Sequence, residues 1–329
     1  MNAKHFFSLL STIAIIAIAP ISFGQDPKAT PPNPTPAAGA QSATTPIPAP
    51  AAARGGTPRG GRAAQSGQPA RKRLLIWADT RNGQAQHEFP SHAMAVIERL
   101  GRDSGLYDTI FRTDSEIISY TPQKTTGGNA SGGPSLGNVD AIFSLVHREA
   151  PLSDAQKADL LKFVRDDGRG FVTAHTGLTA FAAWPEFREM IGGYFGGHNI
   201  GYAGTLVVED PGFPGAKAFP PRLEMQEEWY NLTGFSREKI RVILRLDLSV
   251  FPTLPPSVAN SGGDFPVAWA RDYGKGRVFA STFAHATETW DNPMIQTMYF
   301  EAIKWALKLV EADVTPRPLP KEAVLPRKQ

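Results

Sequence analysis

The segment Gly170–Gly177 reads GFVTAHTG, and the rest of the fold can be worked out from it. A short apolar run that lies between two glycines is typical of a buried strand followed by a turn. His175 stands where this strand runs into the turn, and open α/β sheets bind ligands outside the carboxyl ends of their strands. His175 is therefore the first candidate functional side chain, as a base, an electrophile or a metal ligand.

Strands and helices alternate on the N-terminal side of this segment. Three further buried runs predict strands at Arg73–Asp79, Tyr107–Asp114 and Asp140–Val146. Between them, apolar residues at helical spacing follow Pro90, and Ser153 with Gln156 forms a capping box that opens a second helix. This alternation predicts an α/β fold, in which helices cover both faces of a doubly wound, mainly parallel sheet.

The C-terminal half predicts antiparallel additions to that sheet. Its strand-like runs are Gly204–Asp210, Arg241–Leu248, Pro266–Tyr273 and Arg277–Phe283. The last two are separated only by Gly274-Lys275-Gly276, which predicts a hairpin. Asn292 and Pro293 then predict the start of a final helix with one apolar stripe.

Both ends of the chain differ in composition from the middle. Lys4 and the apolar run Phe6–Ile21 predict a signal peptide at residues 1–24, and hence a periplasmic or secreted protein. A membrane anchor is the alternative, but the run is shorter than the ~20 residues that a spanning helix needs. Residues 25–71 are rich in Pro, Ala and Gly and predict a disordered linker. We expect one folded domain at residues 72–312 and a flexible, proline-containing tail at 313–329.

Composition excludes several classes of chemistry. The chain contains no cysteine, so disulfides, thiolate metal ligands and a cysteine nucleophile are ruled out. The formal net charge of +3 comes from the ends, since residues 1–73 carry eight basic and one acidic side chain and residues 313–329 carry four and two. The remaining residues, 74–312, carry 22 basic and 28 acidic side chains, a net charge of −6. This balance argues against nucleic acid as a partner.

Histidines follow several of the predicted strands. His87 comes after the first strand, His147 after the third and His285 after the last. We predict that His87, His175 and His285 hold a divalent metal, with zinc preferred for imidazole and carboxylate ligands. Their ring nitrogens should then lie within about 3 to 4 Å of one another, because each zinc–nitrogen bond is ~2.0 to 2.1 Å. In the alternative they bind sugar hydroxyls without a metal, and we interpret His147 and His92 as structural or solvent-facing.

The segment Glu227–Tyr230 reads EEWY and places an acid beside aromatic rings. Aromatic faces stack on sugars and carboxylates accept hydrogen bonds from sugar hydroxyls, so this pattern indicates carbohydrate binding. We predict Glu228 as the catalytic acid or base, acting with His175 and His285. We also predict that four side chains bind substrate: Trp184, His198, Trp229 and Trp290. A strand edge and tryptophans buried in the core are the competing interpretation.

Taken together, these motifs resemble the ThuA-like (trehalose utilisation) family, within the glutamine-amidotransferase-like group of flavodoxin-like folds. The resemblance runs from about Arg73 to Leu309, and its carriers are Gln86-His87, Gly170–His175, Trp184, Ile191–His198, Glu227–Tyr230, Pro266–Trp269, Gly274–Val278 and Ala284-His285. It implies a flavodoxin-like fold and a role with trehalose-like or keto-sugar substrates. It does not imply glutamine hydrolysis, because His175 stands where amidotransferase relatives carry a cysteine, while His285 and Glu288 fall where their histidine and acid lie.

Two classes of function remain open from the sequence. The first is an exported hydrolase or isomerase that acts on a glycoside or keto-sugar. The second is a non-catalytic module that keeps the fold and binds a sugar or a protein partner. Turnover of disaccharides or their 3-keto derivatives distinguishes the two.

Overall fold

The computed structural model describes residues 70–81, 87–121, 134–198, 200–259 and 261–325. The predicted signal peptide, nearly all of the predicted linker and the last four residues of the predicted tail lie outside these residues. Within them the strands are, in chain order, β1 (Lys72–Trp77), β2 (Tyr107–Arg112), β3 (Ala141–Ser144), β4 (Gly170–Ala174), β5 (Tyr194–Gly197), β6 (Ala203–Val208), β7 (Arg222–Gln226), β8 (Asn231–Thr233), β9 (Arg241–Leu246), β10 (Pro266–Tyr273) and β11 (Gly276–Ser281). The helices are α1 (Pro90–Ser104), α2 (Asp154–Arg165), α3 (Pro185–Ile191), α4 (Pro256–Ala259) and α5 (Pro293–Ala306).

One large mixed sheet organises the domain. Its first five strands, in the order β2-β1-β3-β4-β11, pair in parallel. This is the strand order of flavodoxin-like sheets, so the predicted fold class is confirmed for the N-terminal part. The carboxyl ends of β1, β3, β4 and β11 consequently lie at one edge of the sheet.

The C-terminal half extends the sheet with antiparallel strands. β10, β9, β6 and β7 follow β11 in that order, and every neighbouring pair is antiparallel. The predicted hairpin between β10 and β11 is present, with Tyr273 opposite Gly276. β5 and β8 form a separate two-stranded sheet. The sequence did not predict β5, β7 or β8, which are short and contain few apolar residues.

Helices cover both faces of the sheet. Successive residues of a strand point to opposite faces, so each central strand contributes side chains to the helices on both sides. Leu74 and Ile76 of β1 belong to a core cluster that includes residues of α1 and α5. Leu75 and Trp77 belong to a second cluster that includes residues of α2 and α3. The predicted helix starts are also observed, since Ser153 and Gln156 form the capping box of α2 and the Asn292 side chain caps α5.

The C-terminal segment differs from the flexible tail that the sequence predicts. Val314 and Ala323 are buried, and the Leu325 amide donates to the Gly262 carbonyl at 3.0 Å. Arg241 Nη1 also donates to the Thr315 carbonyl at 2.8 Å. The prolines prevent a regular helix or strand here, but a few apolar side chains suffice to fix the segment on the domain.

None of the helices in the described part of the chain has the length and apolar character needed to cross a bilayer.

The start of β11 lies very close to the end of α2. A Cβ atom at Gly276 would overlap the Val164 carbonyl oxygen and would lie 2.6 Å from the Arg169 carbonyl oxygen. Both obstacles are backbone atoms, which cannot rotate away as a side chain can. The close packing at this point therefore leaves no room for a side chain at the start of β11.

We expect Gly276→Ala to lower the free energy of unfolding by about 1 to 3 kcal/mol, because the added methyl group forces the strand away from α2. Urea denaturation followed by circular dichroism measures the change. Gly137→Ala is the control, since its Cβ would make ordinary contacts with the Ser135 hydroxyl at 3.4 Å and with Tyr120 Cδ1 at 3.9 Å, and a change within about 0.5 kcal/mol is expected there. Equal stability of the two variants would contradict the prediction.

Candidate functional site

His175 lies directly after β4, on the first residue of a 3-10 turn that ends at Thr179. Its side chain is fully buried, and its backbone φ of 34° is unusual for a residue with a Cβ. A Cβ at Gly177 would overlap the Thr173 hydroxyl, so the turn can fold back on β4 only with glycine there. The turn aims the His175 imidazole at the carboxyl edge of the sheet, as the sequence predicts.

Three imidazoles and one carboxylate converge at this edge. His87 follows β1, His175 follows β4, His285 follows β11, and Glu228 lies in the loop between β7 and β8. One ligand atom from each of the four lies within 4.8 Å of all the others. His175 Nε2 is 3.2 Å from His285 Nδ1, and Glu228 Oε2 is 3.2 Å from the former and 3.1 Å from the latter. The structure thus brings together the three predicted histidines and the predicted acid.

The His175 ring is held by a backbone carbonyl on its far side. Nδ1 donates to the Thr282 carbonyl at 2.7 Å, so Nε2 carries the lone pair and faces Glu228 and His285. A carbonyl that fixes the tautomer of a histidine in this way is the usual arrangement around metal-binding imidazoles. With no cation bound and no proton shared, the lone pair of His175 Nε2 and the Glu228 carboxylate would face each other at about 3 Å and repel each other.

The cluster shifts the titration of its own members. Burial, followed by the neighbouring histidines, lowers the pKa of His87 to about 4. The hydrogen bond with Glu228 raises the pKa of His285 above its ordinary value. Burial favours the neutral form of Glu228, but its contacts with His175 and His285 outweigh it and hold the pKa of Glu228 well below its usual range. At neutral pH Glu228 is therefore ionised and His87 is neutral.

Tyr230 adds a hydroxyl group that the sequence reasoning did not assign to the site. Its Oη lies 2.7 Å from His175 Nε2, and the ring packs against the imidazole with centroids 4.2 Å apart. Burial, together with the charge of Glu228, raises the pKa of Tyr230, so the phenol keeps its proton. In the sequence, only the place of Tyr230 in the segment Glu227–Tyr230, two residues after Glu228, indicated that it could lie in the site.

A cleft of about 450 Å³ opens next to the cluster. His87, Glu228 and Tyr230 reach it from the cluster side, and Phe195 and His198 line it from β5 and the residue after β5. His198 is half exposed, with Nδ1 3.6 Å from Glu228 Oε1, just beyond hydrogen-bonding distance. The predicted substrate-binding position of His198 is thus at the rim of the cleft, beside the acid.

The three tryptophans predicted to bind substrate are core residues, which corrects that prediction. Trp290 is fully buried and stacks between Phe89 and Tyr299, while Trp229 is 1% exposed and donates from Nε1 to the Tyr202 carbonyl. Trp184 is buried with the α2 and α3 core cluster. Their rings offer no open face to a sugar, because tertiary packing uses both sides of them.

The structure also shows where His92, His147 and Glu288 lie. His92 lies on α1 and contacts the exposed Asp291 at 2.8 Å, in agreement with a solvent-facing role. His147 is buried and lines the cleft, with its ring centroid 5.0 Å from that of His87. Glu288 is exposed, and the acid against His285 is Glu228. The correspondence with an amidotransferase acid at Glu288 is therefore wrong for this chain.

Comparison with known proteins agrees with this fold. The structure is similar to a ThuA-like protein from Bacteroides uniformis, with a TM-score of 0.57, 19% identity and coverage of 75% of this chain and 95% of that chain. It is also similar to a ThuA-like protein from Parabacteroides merdae, with a TM-score of 0.54, 18% identity and coverage of 78% and 95%. No curated protein matches the sequence. The family model for ThuA, described as trehalose utilisation, matches residues 73–306, and the chain therefore belongs to the ThuA family.

Proposed function

We propose that this ThuA-family protein is a metal-dependent, carbohydrate-active enzyme, a hydrolase or isomerase of a glycoside or keto-sugar. The observation that carries the proposal is the convergence of His87, His175, His285 and Glu228 within 4.8 Å beside an open cleft. Each of these side chains comes from a different part of the chain, and a structural role requires no such convergence. The family description, trehalose utilisation, supports a sugar as the substrate class.

The residues present fit a zinc-type ion. Neutral imidazole nitrogens and a carboxylate oxygen are zinc ligands, and ligand atoms about 3.1 to 3.2 Å apart agree with bonds of ~2.0 to 2.1 Å in a tetrahedral arrangement. The Thr282 carbonyl holds His175 in the tautomer that leaves Nε2 free to bind. A bound divalent metal supplies a Lewis acid, which polarises a carbonyl or lowers the pKa of water.

The protein side chains then have separate roles in the proposal. His87, His175 and His285 hold the ion, and Glu228 moves a proton to or from the reacting sugar. Tyr230, protonated and 2.7 Å from His175 Nε2, donates a hydrogen bond to an oxygen that becomes negatively charged. His198 at the rim of the cleft binds a sugar hydroxyl, and Phe195 excludes water from the cleft beside it.

The N-terminal sequence supports a further part of the proposal, action in the periplasm or outside the cell. The basic start and short apolar run of residues 1–24 are typical of a signal peptide. A chain without cysteine needs no particular redox environment to fold.

A non-catalytic module that binds a sugar or a protein partner is the second candidate function, and one observation favours it. Four protein ligands can fill a tetrahedral zinc site, as they do in structural sites, whereas catalytic sites keep one position open. The two candidates differ in whether Glu228 remains bound to the metal or is replaced by water or substrate. Turnover therefore decides between them.

We expect the zinc-loaded protein to convert at least one member of a panel of α- and β-linked disaccharides and their 3-keto derivatives, detected by mass spectrometry. His175→Ala and His285→Ala should abolish turnover, whereas His92→Ala should leave it unchanged because His92 lies outside the cluster. Binding of a sugar without any product would support the non-catalytic module. Full activity of His175→Ala would overturn the proposed site.

Tyr230→Phe should reduce kcat by about 100- to 1,000-fold, because one hydrogen-bond donor to a developing oxyanion is lost. KM and zinc affinity should stay close to those of the wild-type protein, since the ring still packs against His175. Steady-state kinetics and calorimetry measure the two effects. A Tyr230→Phe enzyme with unchanged kcat would contradict the role of the phenol.

Zinc binding at pH 7 should release up to one proton, because only neutral imidazole binds the metal. His87, with a pKa of about 4, is already neutral, whereas the raised pKa of His285 increases its protonated fraction above that of an ordinary histidine. Affinity should therefore increase as pH rises through and above the ordinary histidine range, level off above the raised pKa of His285, and fall further near pH 4, where His87 also gains a proton. Calorimetry in buffers of different ionisation enthalpy counts the protons. Unchanged release in His285→Ala would refute the assignment, with His92→Ala as the control.

A further inference from the structure

Glu227 is a buried carboxyl group for which the proposed chemistry has no use. The residue is 4% exposed, and it directly precedes Glu228. Trp229 and Phe283, which lie in the same two loops as Glu228 and His285, are also buried. Burying a carboxyl group costs several kcal/mol unless hydrogen bonds replace its contacts with water, so its presence needs an explanation.

Its two oxygens have very different surroundings. Oε1 accepts hydrogen bonds from the Glu228 amide at 2.8 Å and from the His285 amide at 3.1 Å. Oε2 is buried and has no hydrogen-bond partner among the described residues. One oxygen atom therefore makes all of the hydrogen bonds that compensate for burial of the group.

The two amides that share this oxygen belong to the residues whose side chains meet in the cluster. Glu228 lies in the loop after β7, and His285 lies 57 residues further along the chain, in the loop after β11. The Glu228 and His285 side chains contact each other directly. The bonds from both amides to Glu227 Oε1 form a second link, and this one joins the two backbone positions. Displacing one loop against the other breaks the bond from the His285 amide, whereas the bond from the Glu228 amide lies within a single loop and fixes the orientation of the Glu227 carboxylate there.

We propose that Glu227 is a positioning residue, which clamps the two loops through Oε1 and so sets the spacing between Glu228 Oε2 and His285 Nδ1. This inference rests on the proposed metal site and deepens it. The clamp fixes the ligands before a metal arrives, so less conformational freedom is lost on binding. Glu227 touches neither metal nor substrate and acts only through the two backbone amides.

Three substitutions separate this role from simple filling of the core. Glu227→Gln keeps an acceptor oxygen at nearly the same place, so the clamp is retained. Glu227→Met keeps a similar volume but has no acceptor oxygen, so the clamp is lost while the space remains filled. Glu224→Ala, at an exposed position of β7, is the matched control for removal of an acid from the same part of the chain.

The experiment uses the full chain and two measurements, zinc affinity by calorimetry and hydrogen exchange of the Glu228 and His285 amides by NMR. Glu227→Met should bind Zn²⁺ about 10- to 100-fold more weakly, the usual effect of losing a group that orients metal ligands, and both amides should exchange faster. Glu227→Gln and Glu224→Ala should match the wild-type protein in both measurements. Circular dichroism checks that each variant is folded.

The outcomes distinguish the clamp from the metal site itself. Equal zinc affinity of Glu227→Met and wild type, with unchanged exchange at both amides, overturns the positioning role. An equal loss in Glu227→Gln and Glu227→Met also overturns it, because the acceptor oxygen is then not what matters. If the wild-type protein binds no Zn²⁺, the proposed metal site fails, and faster exchange of the two amides in Glu227→Met alone still supports the clamp.

Discussion

The hydrogen bond from His175 Nδ1 to the Thr282 carbonyl joins the end of β4 to the end of β11, and the geometry of the candidate site depends on it. It exists because the two strands are parallel neighbours, so both chains leave the sheet at the same edge. The bond fixes the ring orientation and the tautomer together, and Nε2 consequently faces Glu228 and His285. The pairing of β11 with β4 and β10 sets the register from which β11 delivers Thr282 and His285.

The antiparallel half of the sheet supplies the negative charge that the imidazoles lack. The loop between β7 and β8 brings Glu228 to 3.1 Å from His285, and the same loop brings Tyr230 to 2.7 Å from His175. A parallel sheet alone would leave a cluster of imidazoles at its edge, which repel one another once protonated. The extension of the sheet therefore adds a carboxylate and a phenol to the histidine cluster.

Much of the fold was predictable because buried strands and capped helices have strong local signals. The runs that became β1, β3, β4 and β10, the capping box of α2 and the Asn292 cap of α5 all depend on residues close together in sequence. β5, β7 and β8 were missed because they have three to five residues each and are stabilised by their partners. The C-terminal segment was missed for a similar reason, since contacts with distant residues such as Gly262 hold it in place.

By itself, the sequence determined that histidines follow the strands of a parallel sheet, because a strand followed by a turn is a local pattern and parallel strands share an edge. It also predicted Glu228 as the acid of the site. Only the tertiary structure decided that Glu228 rather than Glu288 meets His285, and that Trp229 and Trp290 lie in the core. These outcomes depend on contacts between residues far apart in the chain. The spacing and type of residues in a sequence do not specify those contacts, and so do not specify whether an aromatic ring is buried in the core or exposed to a ligand.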